Sequence, residues 1–94
     1  MRFAFLIMGE FDVTRDIAQI HDGMAQIIGV SNMEEAKITA KKLQEDGVDC
    51  IELCGAFGEV GAKTIIEATG GRIPIGYVTH LPQQDEVYAK AFGK

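Results

Sequence analysis

The chain opens on an uninterrupted apolar run, Phe3-Ala4-Phe5-Leu6-Ile7-Met8, preceded by Arg2 and without helix caps. A short run of this kind predicts a buried strand. Polar, turn-forming residues follow over Gly9–Thr14. Two further apolar stretches, 17–20 and 24–30, then flank Asp22-Gly23. An Asp-Gly pair in that setting predicts a two-residue hairpin turn in which both residues take positive φ. The competing pattern is a helix over Val13–Ile20, because Val13, Ile17 and Ile20 share a helical face.

Ser31-Asn32-Met33-Glu34 reads as a capping box, with the Ser31 hydroxyl accepting the Glu34 amide and the Glu34 carboxylate reaching back. The helix it starts presents Ala36, Ile38, Ala40 and Leu43 on its apolar side and stops at Gly47, the expected left-handed residue. Val48–Cys54 predicts a strand. A glycine-rich stretch, Gly55–Gly61, leads into a helix through Ala68, ended by Gly70-Gly71. Ile73–Thr79 predicts the last strand, and Pro82, suited to a first helical turn, starts a closing helix through Phe92. Strands alternating with helices at this spacing predict one compact α/β domain. Its sheet is expected to be largely parallel, four- or five-stranded and flanked by helices, and mixed if the hairpin forms.

Ninety-four residues leave room for one domain only. Acidic residues outnumber basic ones 14 to 9, for a formal charge of −5. That balance argues against nucleic acid and anionic membranes as partners, and no basic cluster offsets it. The N-terminal apolar run is too short for a signal peptide's core with a cleavage site, and far short of the ~20 residues of a spanning helix. Cys50 and Cys54 on one strand lie roughly 13 Å apart at about 3.3 Å per residue, beyond the reach of about 7 Å for a disulfide. Free thiols suit a reducing compartment, so a cytoplasmic protein is expected. A small sheet leaves edges to cover, and a homodimer is the commonest closed solution.

In open α/β sheets, ligands bind beyond the carboxyl ends of the parallel strands. Here that rule selects the loops carrying Cys54, Gly55, Gly58, Gly61, Thr79 and His80. Glu52 shares a strand face with Cys50 and Cys54. In a strand covered on both faces it would be a desolvated acid, base or metal ligand; a face open to water, or an ion pair, is the plainer reading. Cys54 lies near a helix N-terminus, a setting that lowers a thiol pKa. With His80 as base, and Glu52 or Asp85 orienting the imidazole, it would form a nucleophilic pair. Free cysteine is, however, more often inert packing. A zinc site from Cys54, His80, Glu52 and Cys50 is chemically conceivable, but no C-x-x-C or H-x-x-x-H spacing supports one, and none is assigned. Gly55, Gly58 and Gly61, with Thr79, would offer amides and a hydroxyl to a small anionic or polar ligand. The competing role for the glycines is backbone geometry in a tight turn. The pattern is neither a dinucleotide fingerprint nor a P-loop, and no cofactor is named by it.

The segments Gly47-Val48-Asp49-Cys50-Ile51-Glu52-Leu53-Cys54-Gly55-Ala56-Phe57-Gly58 and Ile73-Pro74-Ile75-Gly76-Tyr77-Val78-Thr79-His80-Leu81-Pro82 resemble a family of small uncharacterised bacterial proteins of about this length. That resemblance covers nearly the whole chain and implies no activity. More distantly, the segments are similar to a β-α-β unit of phosphate-binding (β/α)-barrel aldolases, although no strand carries a Schiff-base lysine. Three functions are therefore carried forward: a small-molecule-binding module, a small enzyme built on Cys54 and His80, and an oligomerising scaffold.

Overall fold

The five apolar segments form one mixed, open sheet in the computed structural model, which describes residues 1–93. Its strands are β1 (Phe3–Met8), β2 (Ile17–Ile20), β3 (Ala25–Val30), β4 (Cys50–Leu53) and β5 (Ile75–Tyr77), in the order β2-β3-β1-β4-β5. β1 runs parallel to β3 and β4, β4 runs parallel to β5, and only β2 is antiparallel, to β3. The helix alternative over Val13–Ile20 is overturned: Ile17–Ile20 pairs in register with Ala25–Ile28. The turn is longer than the expected two residues. It spans His21–Met24, with positive φ at His21, Asp22 and Gly23.

The helices are α1 (Met33–Glu45), α2 (Gly58–Ala68) and α3 (Asp85–Ala91). The capping box of α1 sits one residue later than the sequence suggests. Asn32 is the N-cap and its Oδ1 accepts the Glu35 amide, while Glu35 Oε1 accepts the Ser31 amide and hydroxyl. Glu34 instead pairs with Lys37 on the helix surface. Ala36, Ala40 and Leu43 face the sheet as expected, but Ile38 is 65% exposed. Positions 36, 40 and 43 follow the i, i+4, i+7 stripe, and position 38 falls outside it.

Connection direction explains the layer structure. The β3-α1-β4 and β4-α2-β5 crossovers step the same way along the sheet. Right-handed crossovers that step in one direction lay their helices on one face. That face holds the core: Ala4, Leu6, Ile28, Val30, Ile51 and Leu53 from the sheet against Ala36, Ala40, Leu43, Ala62 and Ile65. The β1-to-β3 connection steps the other way and would carry a helix onto the opposite face. It contains the strand β2 instead. The opposite face is therefore left without a helix. The flanking helices thus lie on one side only, and β1, read as a buried strand, is buried on that side alone, through Ala4 and Leu6. The segment meant to close the fold departs as well. After a single 3-10 turn over Pro82–Gln84, α3 projects from the body, and none of its residues is buried.

Candidate functional site

At the carboxyl end of β4, Cys54 is half-buried. Its amide donates to the Leu6 carbonyl (3.0 Å) and its Sγ accepts the Met8 amide (3.3 Å). The thiol thus sits between the ends of two neighbouring strands. Thr79 and His80 lie just beyond β5, the other neighbour of β4, and both are exposed. His80 is engaged with the projecting helix. Its Nε2 lies 2.8 Å from Asp85 Oδ1, and because a carboxylate only accepts, the imidazole N–H donates. The ring stacks on Tyr88 at 3.9 Å and 11°, and Tyr88 stacks in turn on Phe92 at 5.8 Å. Asp85 is the orienting carboxylate. Among the described residues, no hydrogen bond joins His80 to Cys54 or to Glu52.

The three loop glycines have distinct local surroundings. A Cβ on Gly55 would meet the Val78 carbonyl at 3.4 Å, an ordinary contact distance. Gly58 takes φ +63° at the junction of a 3-10 turn (Gly55–Phe57) and α2. Gly61 lies in the first turns of α2, where a Cβ would stand 3.0 Å from Phe57 Cβ. Gly58 has a backbone reason to be glycine and Gly61 a packing reason. The loop is shorter than the sequence suggests, since the helix already begins at Gly58.

Glu52 lies on the bare sheet face. Burial along β4 alternates, with Ile51 and Leu53 buried and Cys50 and Glu52 half-buried. The carboxylate extends over Gly76, whose added Cβ would stand 2.8 Å from Glu52 Oε2. Cys50 Sγ donates to Glu52 Oε1 at 3.4 Å. Partial burial pushes the Cys50 thiol above its ordinary range, and the acceptor and negative charge of Glu52 push it further the same way. Cys50 is accordingly expected to resist alkylation until well into alkaline pH. Glu52→Gln should bring its alkylation profile to lower pH, without restoring ordinary reactivity, because burial remains. Iodoacetamide labelling followed by peptide mass spectrometry reads both. An unmoved profile would remove Glu52 as a cause.

Sequence reasoning missed the extent of this face. Phe3, Phe5 and Ile7 of β1 point to it, with Ile27 of β3 and Ala18 and Ile20 of β2 beside them. Phe3, Phe5 and Ile27 are each about two-fifths exposed. Phe11 covers the Gly9–Gly29 corner and borders a shallow cleft with Ile7, Ala18 and Ile27. The signal was present in the alternation of large Phe3, Phe5 and Ile7 with smaller Ala4. Near the other end, Leu81, Val87, Tyr88 and Phe92 form an apolar stripe on the arm, all in solvent. Among the described residues no helix is long and apolar enough to cross a membrane, and no three His, Cys, Asp or Glu side chains converge as metal ligands.

Comparison with known proteins gives one match. The chain belongs to a family described as "Family of unknown function (DUF6506)", whose model matches residues 1–93. Searches of the curated proteins and of the solved structures returned no match.

Proposed function

We propose, for this member of a family with no assigned activity, that the chain is a self-associating module whose bare sheet face is its interaction surface, and that it works as a homodimer. One observation carries the reading: a helix layer covers one face of the sheet, while Phe3, Phe5, Ile20 and Ile27 stand exposed on the other, beside a half-buried Ile7. Contiguous apolar surface of this kind marks an interaction site. A net charge of −5 disfavours an anionic membrane as the partner. A second copy presents the same apolar surface and, by two-fold symmetry, a matching one. The free, half-buried thiols Cys50 and Cys54 support a reducing compartment, so we place the protein in the cytoplasm.

Sedimentation equilibrium tests the reading. The wild-type chain is expected at twice its 10.2 kDa mass, and Phe5→Lys at the monomer mass. Lysine suits that position, because Phe5 lies in register with Glu52 and an opposite charge there is tolerated. Added salt should tighten the wild-type dimer, since it screens repulsion between two acidic copies and leaves apolar contact intact. A wild-type monomer across the micromolar range would overturn the proposal.

A second reading rests on the 2.8 Å His80–Asp85 contact. A carboxylate-oriented imidazole beyond the strand next to Cys54 supports a ligand site or catalytic pair at the strand ends. There Gly55, Gly58, Gly61 and Thr79 would meet a small polar or anionic ligand. On this reading, alkylation of Cys54 by iodoacetamide slows in His80→Ala. An identical rate in the variant counts against a coupled pair and leaves Cys54 as packing.

A further inference from the structure

Two unsatisfied apolar surfaces lie in the same chain, the bare sheet face and the stripe on α3. The arm's stripe follows helical spacing: Val87, Tyr88, Ala91 and Phe92 recur at i, i+1, i+4 and i+5, and Leu81 precedes them. Glu86 and Lys90 occupy the other side, and Asp85 lies at the stripe's edge, where it and Tyr88 both meet His80. An amphipathic helix of this type gains stability by docking its stripe on an apolar surface. In its own chain α3 meets the turn that precedes it and, through Asp85 and Tyr88, His80, and none of its residues is buried. The His80–Asp85 bond and the His80–Tyr88 stack tie the arm to the end of β5 and hold it away from the body.

We propose that two copies exchange these arms, the α3 stripe of each lying on the bare sheet face of the other. This rests on the self-association reading above and names what covers the face. Dimensions agree. Residues Pro82–Phe92 make a rod of about 16 Å at 1.5 Å per residue, some 10 Å wide. Such a rod spans two to three strands at ~4.8 Å spacing and matches the ~20 Å length of a six-residue strand. Area agrees too. Phe3, Phe5, Ile20 and Ile27 on the face and Leu81, Val87, Tyr88 and Phe92 on the arm are between 37% and 70% exposed. At roughly 150–250 Å² for a large side chain, these eight would supply about 600–1,000 Å² per copy when fully covered. That is the area a standard protein interface buries on each partner.

Glu52 decides between arm exchange and direct packing of face on face. Two sheets packed flat would desolvate both Glu52 carboxylates against apolar residues, with only the Cys50 thiol as a partner. A helix laid over β2, β3 and β1 covers the aromatic and aliphatic residues and leaves Glu52, over β4 and β5, in water.

The test is complementation in the full-length chain, read by sedimentation equilibrium. Phe5→Lys removes the face, and Ile20→Lys is a second face variant at a position 69% exposed, where lysine leaves the fold intact. Val87→Lys combined with Phe92→Lys breaks the stripe on an arm none of whose residues is buried. Each variant alone is expected to self-associate at least tenfold more weakly than wild type. Mixed in equal amounts, face and arm variants are expected to form heterodimers at concentrations where neither dimerises alone, because one intact arm meets one intact face. If the arm variant dimerises as tightly as wild type, exchange is overturned and self-association through the face stands. Two monomeric variants that fail to complement also overturn exchange. A monomeric wild type overturns both.

Discussion

Leu6→Ala is expected to destabilise the fold by about 2–5 kcal/mol, the range for truncating a buried leucine whose surroundings cannot collapse into the void. Leu6 is fully buried on β1, the central strand, in register with Ile28 on one side and Leu53 on the other. All three lie under the helix layer, so the cavity would open in the middle of the core with rigid strands on both sides. A domain of this size holds only about 5–14 kcal/mol in total. The midpoint of thermal unfolding should fall by roughly 10–30 °C. Urea denaturation followed by far-UV circular dichroism measures the loss directly. A change below about 1 kcal/mol would contradict the assignment of the core face. The neighbouring Phe5 gives the contrast, since its side chain points to the bare face. Phe5→Lys is expected to leave the unfolding midpoint of the monomer nearly unchanged while abolishing the dimer. Adjacent residues of one strand thus separate folding from association.

Gly29→Ala carries the second largest expected effect, about 1–3 kcal/mol of destabilisation from overpacking. A Cβ on Gly29 would stand 2.5 Å from Phe11 Cγ and 2.6 Å from Phe11 Cβ. The second of these is fixed to the backbone, so a rotamer change cannot relieve the clash. The loop preceding β2 has to move, and it is tethered to the same residue, because the Gly29 amide donates to the Asp16 carbonyl at 2.8 Å. A double-mutant cycle checks the cause. In a Phe11→Ala background the added methyl meets no ring and should cost far less, giving a coupling energy of 0.5 kcal/mol or more. Additive losses would mean that Phe11 is not what excludes a side chain at position 29.

Much of the fold was legible because each strand carries its own signal. The hairpin followed from Asp22-Gly23 between apolar stretches, and the end of α1 followed from Gly47, which takes φ +91°. The capping box slipped by one because Ser31/Glu34 and Asn32/Glu35 both satisfy the pattern. Local sequence does not choose between two adjacent registers when both supply an oxygen and a carboxylate. The bare face was the larger miss. Large apolar residues at Phe3, Phe5 and Ile7 look the same whether a helix or a second molecule covers them. Only the order of the strands reveals that no connection returns over that side. At the strand ends, the sequence brought Cys54, Thr79 and His80 to one edge and offered Glu52 or Asp85 as a partner for the imidazole, of which Asp85 makes the contact. What it lacked was the arm, since the stack of His80 on Tyr88 depends on the direction in which the chain leaves β5.

The central position of β1 has a consequence for synthesis. This strand leaves the ribosome before both of its ladder partners: Phe3 pairs with Ala25 on one side and with Cys50 on the other. Until residue 53 has emerged, the most apolar segment of the chain has at best one hydrogen-bonded edge, and neither α1 nor α2 has a completed sheet to pack on. The nascent chain therefore exposes Phe3–Met8 until β4 follows it out, the interval in which a holding chaperone or a neighbouring nascent copy would meet it.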